Sequence, residues 1–111
     1  MRKSASYILS AYSSIIKDSI QNILSFGYKF EDGNPIPSFD ENLIIDLCAE
    51  VQQIFSKEKN ILSIDGDTIV VGDIHGSFHD LLRILHFSNS KNSNVLFLGD
   101  YVDRGEFSLE C

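Results

Sequence analysis

Basic residues are scarce. Nine Lys and Arg stand against sixteen Asp and Glu in 111 residues, for a net charge of −7. A general nucleic-acid binder carries a basic surplus, so that class is excluded. The deficit is uneven: Arg2, Lys3, Lys17 and Lys29 face only Asp18 in residues 1–30, which leaves −10 for the rest of the chain. An acidic body attracts metal cations and repels phosphate unless something inverts the local field. Cysteine is scarce too. Cys48 and Cys111 make no disulfide framework and fit a reducing compartment. No apolar run approaches the roughly 20 residues of a membrane span. Met1-Arg2-Lys3 ahead of Tyr7-Ile8-Leu9 has a trace of a signal peptide, but serines at 4, 6, 10, 13 and 14 dilute it and Asp18 closes it. Cytoplasm or nucleus is the expected location, with neither membrane nor nucleic acid as partner. The chain also lacks Gly-x-x-x-x-Gly-Lys-Ser/Thr, which excludes a phosphate-cradling nucleotide loop of that kind. It shows no internal repeat and no low-complexity tract.

The length allows one domain at most, and 43% apolar residues is ordinary for a soluble globular chain. Ile8, Tyr12, Ile15, Ile16, Ile20, Ile23 and Leu24 recur at three- and four-residue steps, which predicts a first helix ended by Gly27. Glu31 to Pro37 reads as a loop. Ser38 with Glu41 forms a capping box ahead of Leu43, Ile44, Leu47, Cys48, Val51, Ile54 and Phe55, a second helix fraying near 57–60. Cys48 is expected as a small core residue there. Asp40, Glu41, Asp46 and Glu50 are expected on a solvated face. The period then changes. Residues 61–64 and 68–71 are short β-branched runs around Asp65-Gly66-Asp67, which predicts a hairpin. A third helix is expected from Phe78 to about Phe87, capped by Ser77, with Leu81, Leu82 and Leu85 on its buried side. Residues 88–94 read as a polar loop, and Val95-Leu96-Phe97-Leu98 as a strand buried on both faces. Strand 68–71, helix and strand 95–98 form a βαβ unit with parallel strands.

Both strands of this unit end alike, in Val71-Gly72-Asp73 and Leu98-Gly99-Asp100. Parallel neighbours lie about 4.8 Å apart, so the two carboxylates should face each other across one sheet edge. Two bare anions that close repel, so one must stay protonated or both must share a cation. His75 follows Asp73 by two, between glycines that let the turn close. Carboxylates with an imidazole suit manganese, iron or zinc. Asp100 has an oxygen for each of two ions, the bridge that a pair about 3.5–4 Å apart requires. Arg104 could meet a phosphate with two parallel hydrogen bonds. Asp103, too acidic for that task, suits the orientation of an imidazole. The pattern points to a dinuclear phosphoesterase. His79 lies four residues after His75, but one is in a turn and the other in a helix, so a shared zinc site is not expected. His86 reads as a surface or partly packed residue.

Gly72-Asp73-Ile74-His75-Gly76 and Gly99-Asp100-Tyr101-Val102-Asp103-Arg104-Gly105 resemble the first two signature motifs of the phosphoprotein phosphatases, serine/threonine protein phosphatases of the calcineurin-like metallophosphoesterase superfamily. Ser108-Leu109-Glu110 resembles their type 1 branch, and the similarity runs over roughly residues 38–111. The resemblance implies an α/β fold, here the N-terminal portion of a β-sandwich flanked by helices, starting near residue 61 after a helical region over 1–60. It implies two divalent metal ions. Asp73 and His75 would bind the first, Asp100 would bridge both, Asp103 would orient a catalytic histidine and Arg104 would hold the phosphate. Water activated between the ions would attack phosphoserine or phosphothreonine, with phosphoprotein substrates and regulatory subunits as partners. Ser77 stands where the family usually has glutamine, and His79 where an aromatic or acidic residue is common. The family's third motif, Gly-Asn-His-Glu, with an asparagine ligand and the general-acid histidine, does not occur, nor do two later histidine ligands. The second metal site is therefore expected to be incomplete and the chain, on its own, inactive. The alternative is a non-catalytic product or a binding module; action on nucleotides or nucleic acid is disfavoured by Val-Asp-Arg-Gly and the net charge.

Overall fold

The computed structural model describes residues 3–23 and 36–111, with backbone alone at 14 and 16–23. The helix stop at Gly27 and the loop residues 31–35 lie outside the described residues. The described chain holds helices α1 (Lys3–Ile23) and α2 (Glu41–Phe55), strand β1 (Thr68–Val71), helix α3 (Phe78–Lys91) and strand β2 (Asn94–Phe97). They divide between two compact units, one of residues 3–19 and 36–63, the other of 20–23 and 64–111. No helix is long and apolar enough to cross a membrane among the described residues.

In the first unit, the apolar spacing of α1 buries Ile15, and Tyr12 meets Phe39 with ring centroids 5.8 Å apart. Glu50 is not the solvated acid expected of it. Its Oε1 accepts from the Oγ of Ser4 at 3.1 Å and, weakly, from the Ser4 amide at 3.4 Å. That places a carboxylate at the N-terminus of α1, where the helix dipole favours it. The cap of α2 is Asp40, not Ser38. The Asp40 side chain accepts from the Asn42 amide at 2.9 Å, and the helix starts at Glu41. Aspartate caps as well as serine does, and it sits next to the first residue with helical backbone. Cys48 is exposed rather than in a core. No residue of α2 is buried, and Leu47, Cys48, Val51 and Phe55 line an open groove of about 520 Å³.

The second unit is α/β. β1 and β2 pair in parallel, Thr68 opposite Asn94 through Val71 opposite Phe97, with α3 between them in sequence and against β2 in space. Val71, Ile74, Phe78 and Leu82 are its buried apolar core. They run from the end of β1 through the following loop into the first turns of α3, so the best-packed part of the unit supports that loop. Fully burying a side chain of this size stabilises by about 1.5–3 kcal/mol.

Several expectations fail in this unit and at its boundary. Residues 61–64 form no strand, and Ile61 is 84% exposed. The Asp65-Gly66-Asp67 turn does not fold back on itself. Asp67 O accepts from the Asn94 amide at 2.9 Å and Asp65 O from the Asn94 side chain at 3.0 Å. The turn is thus spent on joining β1 to β2 and leaves no ladder for 61–64. Helix α3 runs past Phe87 to Lys91, with the Ser88 and Ser90 hydroxyls donating to Leu85 O and Phe87 O. It stops at Asn92, whose left-handed φ of 51° ends the helical path. On α3 Phe78, Leu82 and Ser88 are buried, whereas Leu85 is exposed. The strand after it is not buried on both faces either. In β2 Asn94 is exposed and Val95 to Phe97 are half-buried, and Leu98, expected as its last residue, lies past its end and is 69% exposed.

Candidate metal centre

The loop after β1 and the loop after β2 are laced together along their backbones. Asp100 O accepts from both Ile74 N and His75 N at 3.0 Å, Tyr101 O accepts from Gly76 N at 2.8 Å, and Gly105 N donates back to His75 O at 2.8 Å. Leu98 N also donates to Val71 O at 2.9 Å, carrying the strand pairing past β2. Parallel strands deliver both loops to one rim, and buried Ile74 anchors the first of them between Asp73 and His75.

The closeness has a backbone cost and a glycine requirement. His75, Asp100, Asp103 and Arg104 all have positive φ, 46°, 60°, 66° and 68°. Non-glycine residues held there store roughly 1–3 kcal/mol each, and they persist where surrounding contacts over-determine them. Every candidate residue except Asp73 is in this state. At Gly105 a Cβ would lie 2.3 Å from His75 O, so no other residue fits without parting the loops.

Asp73, His75 and Asp100 come together. One ligand atom from each lies within 4.8 Å of the others, and they are the sole such group of three or more among the described residues. His75 Nε2 is 3.4 Å from Asp73 Oδ2 and 3.3 Å from Asp100 Oδ2. The other ring nitrogen, Nδ1, lies 2.8 Å from Val102 O. A carbonyl only accepts, so Nδ1 carries the proton, and in the neutral ring Nε2 keeps its lone pair. That lone pair faces two anionic oxygens, and either a second proton or a cation must lie between them. The spacing fits a cation. Donors about 2.0–2.2 Å from one ion, at octahedral to tetrahedral angles, stand about 2.8–3.6 Å apart. The imidazole is 20% exposed and the Asp73 and Asp100 side chains 67% and 54%, which leaves the centre open to solvent ligands.

Asp103 and Arg104 do not join this cluster. The Asp103 carboxylate makes no bond to an imidazole. Its amide donates to Ser108 Oγ at 3.0 Å instead. Arg104 is exposed, one residue from Gly105 and its bond to His75 O. His79 lies outside the cluster, with its ring edge-on to Phe107 at 6.1 Å. The Ser77 cap forms no side-chain bond to the helix amides. Ser77 Oγ donates to Asp80 Oδ2 at 2.7 Å, and Arg83 donates to Asp80 Oδ1 at 2.8 Å. The Ser77 hydroxyl foremost, then Arg83, holds the Asp80 carboxyl below its ordinary range against an opposing effect of partial burial. Burial, with Glu110 adding to it, raises the Cys111 thiol, so it offers no ready nucleophile. Sequence reasoning missed the Val102 carbonyl, and it marked Ser108 only as part of a resemblance, without its bond to the Asp103 amide. The first is a backbone group and leaves no mark in the sequence. The second is a serine at no recognised cap or turn position.

Residues 66–111 match the family model of the calcineurin-like phosphoesterases. Both laced loops and all three clustered donors lie inside the match, which begins at the turn leading into β1. The match is shorter than the stretch over which the motifs resemble protein phosphatases, and it speaks to the phosphoesterase family at large. Phosphoesterases of this family work with divalent metals, and the Asp–His–Asp donor set is of the kind such ions take.

Proposed function

We propose that the chain carries the metal-binding start of a serine/threonine protein phosphatase, with Asp73 and His75 holding a first divalent ion and Asp100 set to bridge to a second. The observation that carries this reading is the His75 lone pair, aimed by Val102 O between two carboxylates at ligand spacing. The family match supports phosphoester chemistry, and the Val102-Asp103-Arg104-Gly105 ending supports the protein-phosphatase branch. A divalent ion, when bound, supplies a Lewis acid and a lowered pKa for its water. The residues of the chain do the rest. Asp73 and Asp100 neutralise the ion's charge, His75 fixes its place, and Arg104 donates paired N–H groups to phosphate oxygens. Asp103 would orient an imidazole acid, and the two-stranded sheet would be the opening of a β-sandwich. Phosphorylated serine and threonine side chains of other proteins are the substrates this reading implies.

A second reading, metal and phosphate binding without turnover, draws on one observation. The described residues present the donors for one ion only, and neither His79 nor His86 joins them. Calorimetric titration with Mn²⁺, followed by p-nitrophenyl phosphate hydrolysis, tests both. The phosphatase reading requires a Mn²⁺ site that Asp100→Asn weakens; wild-type and Asp100→Asn chains that take up the ion alike overturn it. Hydrolysis no faster than the buffer rate is expected of these 111 residues.

A further inference from the structure

Ser108 lies outside the metal cluster and has no part in the function proposed above, yet it touches both laced loops. Its Oγ accepts the Asp103 amide at 3.0 Å. The same oxygen lies 3.0 Å from where a Cβ on Gly76 would stand, so it is seated against the bare α-carbon of the first loop. The serine is itself held. Phe107 N donates to Gly76 O at 3.2 Å, and the Phe107 ring lies 6.3 Å from that of buried Phe78. Cys111 N closes a turn onto Phe107 O at 3.1 Å.

What this contact restrains is Asp103-Arg104, two consecutive non-glycine residues with left-handed backbone. Such a pair relaxes unless fixed on both sides. On the far side, Gly105 N is bonded to His75 O and to Asp103 O. On the near side, the Asp103 amide donates to the hydroxyl oxygen of Ser108. Remove that hydroxyl and the peptide between Val102 and Asp103 is held only at Val102 O, by His75 Nδ1, so the chain can pivot beyond that bond, which moves the origin of the Arg104 side chain. Asp73, His75 and Asp100 need not move, because the amides of residues 74–76 still donate to Asp100 O and Tyr101 O, and His75 Nδ1 still donates to Val102 O.

We infer that Ser108 is a positioning residue: its hydroxyl, by holding the Asp103 amide, sets the direction in which Arg104 leaves the loop and so the affinity of the centre for a phosphate group. This rests on the reading of Arg104 as the phosphate-holding residue. The test measures Mn²⁺ affinity, and then inorganic phosphate affinity of the Mn²⁺-loaded full chain, in wild type, Ser108→Ala, Ser108→Thr, Arg104→Ala and the Ser108→Ala/Arg104→Ala double variant. Arg104→Ala should weaken phosphate by about tenfold, the loss of charge-assisted paired bonds. Ser108→Ala should weaken it by about fivefold while Mn²⁺ affinity stays within about twofold, and Ser108→Thr should restore it. The double variant should bind phosphate no worse than Arg104→Ala alone. Losses that multiply in the double variant, or a Ser108→Thr no better than Ser108→Ala, overturn the role of Ser108 and leave the Arg104 reading standing. An Arg104→Ala chain with wild-type phosphate affinity overturns both. Should Ser108→Ala not fold, amide hydrogen exchange in the wild type decides: protection of the Asp103 amide is expected, and exchange at the rate of a free amide overturns the inference.

Discussion

The carbonyl oxygen of Val102 accepts the Nδ1–H of His75 at 2.8 Å, and this one bond connects the two strand-end loops through a side chain. It settles which nitrogen faces Asp73 and Asp100, and it ties the imidazole to the loop that carries Asp100. Movement of that loop therefore moves a ligand from each strand together. Backbone carbonyls orient metal-bound histidines in this way, and loss of such support costs about 10–100-fold in metal affinity. No substitution at Val102 removes a carbonyl, so its contribution is reached through the loop's shape.

Asp100 touches His75 Nε2 through its carboxylate and Ile74 and His75 through its carbonyl. Asp100→Asn keeps the carbonyl and the size but removes the charge. Mn²⁺ affinity should fall at least tenfold, with the unfolding midpoint of the metal-free chain unchanged or slightly raised, since one of two facing anions is gone. Calorimetric Mn²⁺ titration and thermal unfolding in chelator measure the two effects. Equal Mn²⁺ affinity in the two proteins would remove Asp100 from the centre.

Gly72 and Gly105 flank the two loops and make opposite predictions. A Cβ at Gly72 meets nothing within 4 Å, whereas one at Gly105 would lie 2.3 Å from His75 O and 2.7 Å from the Gly76 carbonyl carbon. Gly105→Ala should destabilise the second unit by about 1–3 kcal/mol and abolish tight Mn²⁺ binding, because the loops must part. Gly72→Ala should leave both within error. Denaturant unfolding of the pair gives the comparison, and a harmless Gly105→Ala would mean that the loops are not laced as described.

Much of this was legible in the residues. The βαβ period, the parallel pairing and the meeting of Asp73, His75 and Asp100 follow from two strands of four residues ending in the same Gly-Asp step. Ile61 to Ile64 misled because β-branched runs beside Asp-Gly have a hairpin's local signature, and the partner β1 takes comes from 26 residues further on, at Asn94. Cys48 misled because apolar period marks a face, not what covers it. The left-handed backbone at Asp103 and Arg104 was silent, since Asp tolerates positive φ without requiring it and Arg does not favour it. It is set by bonds to His75 O and Ser108 Oγ that no local pattern encodes.

Phe78 is the most buried residue of α3 and lies directly after the loop that holds His75. Its ring stands 6.3 Å from that of Phe107. Phe78→Ala should cost about 3–5 kcal/mol, enough to unfold a small unit, and Mn²⁺ binding should vanish with the fold. Leu109 is apolar too, but exposed, and Leu109→Ser should stay within about 0.5 kcal/mol of wild type. Circular dichroism during urea unfolding distinguishes them; a mild Phe78→Ala would place the core elsewhere.

Asp80 gives the pH dependence. Its carboxyl titrates below the ordinary value because Ser77 Oγ, and then Arg83, donate to it in the folded chain. A folded-state pKa below the unfolded one adds stability that is fully present above the unfolded value, about 3.9, and is lost as pH falls through the folded value beneath it. The side chain is 60% exposed, so solvent screens the effect and the contribution should stay under about 1 kcal/mol. Asp80→Asn should therefore be less stable than wild type at pH 6 by a few tenths of a kcal/mol, with the gap closing at a second, lower pH as the wild-type carboxyl takes its proton. Urea midpoints of both proteins at the two pH values, in chelator so that the metal centre takes no part, give the measurement. A gap that widens on acidification would mean that Asp80 is stabilised in its protonated form, and that Ser77 accepts from it rather than donates.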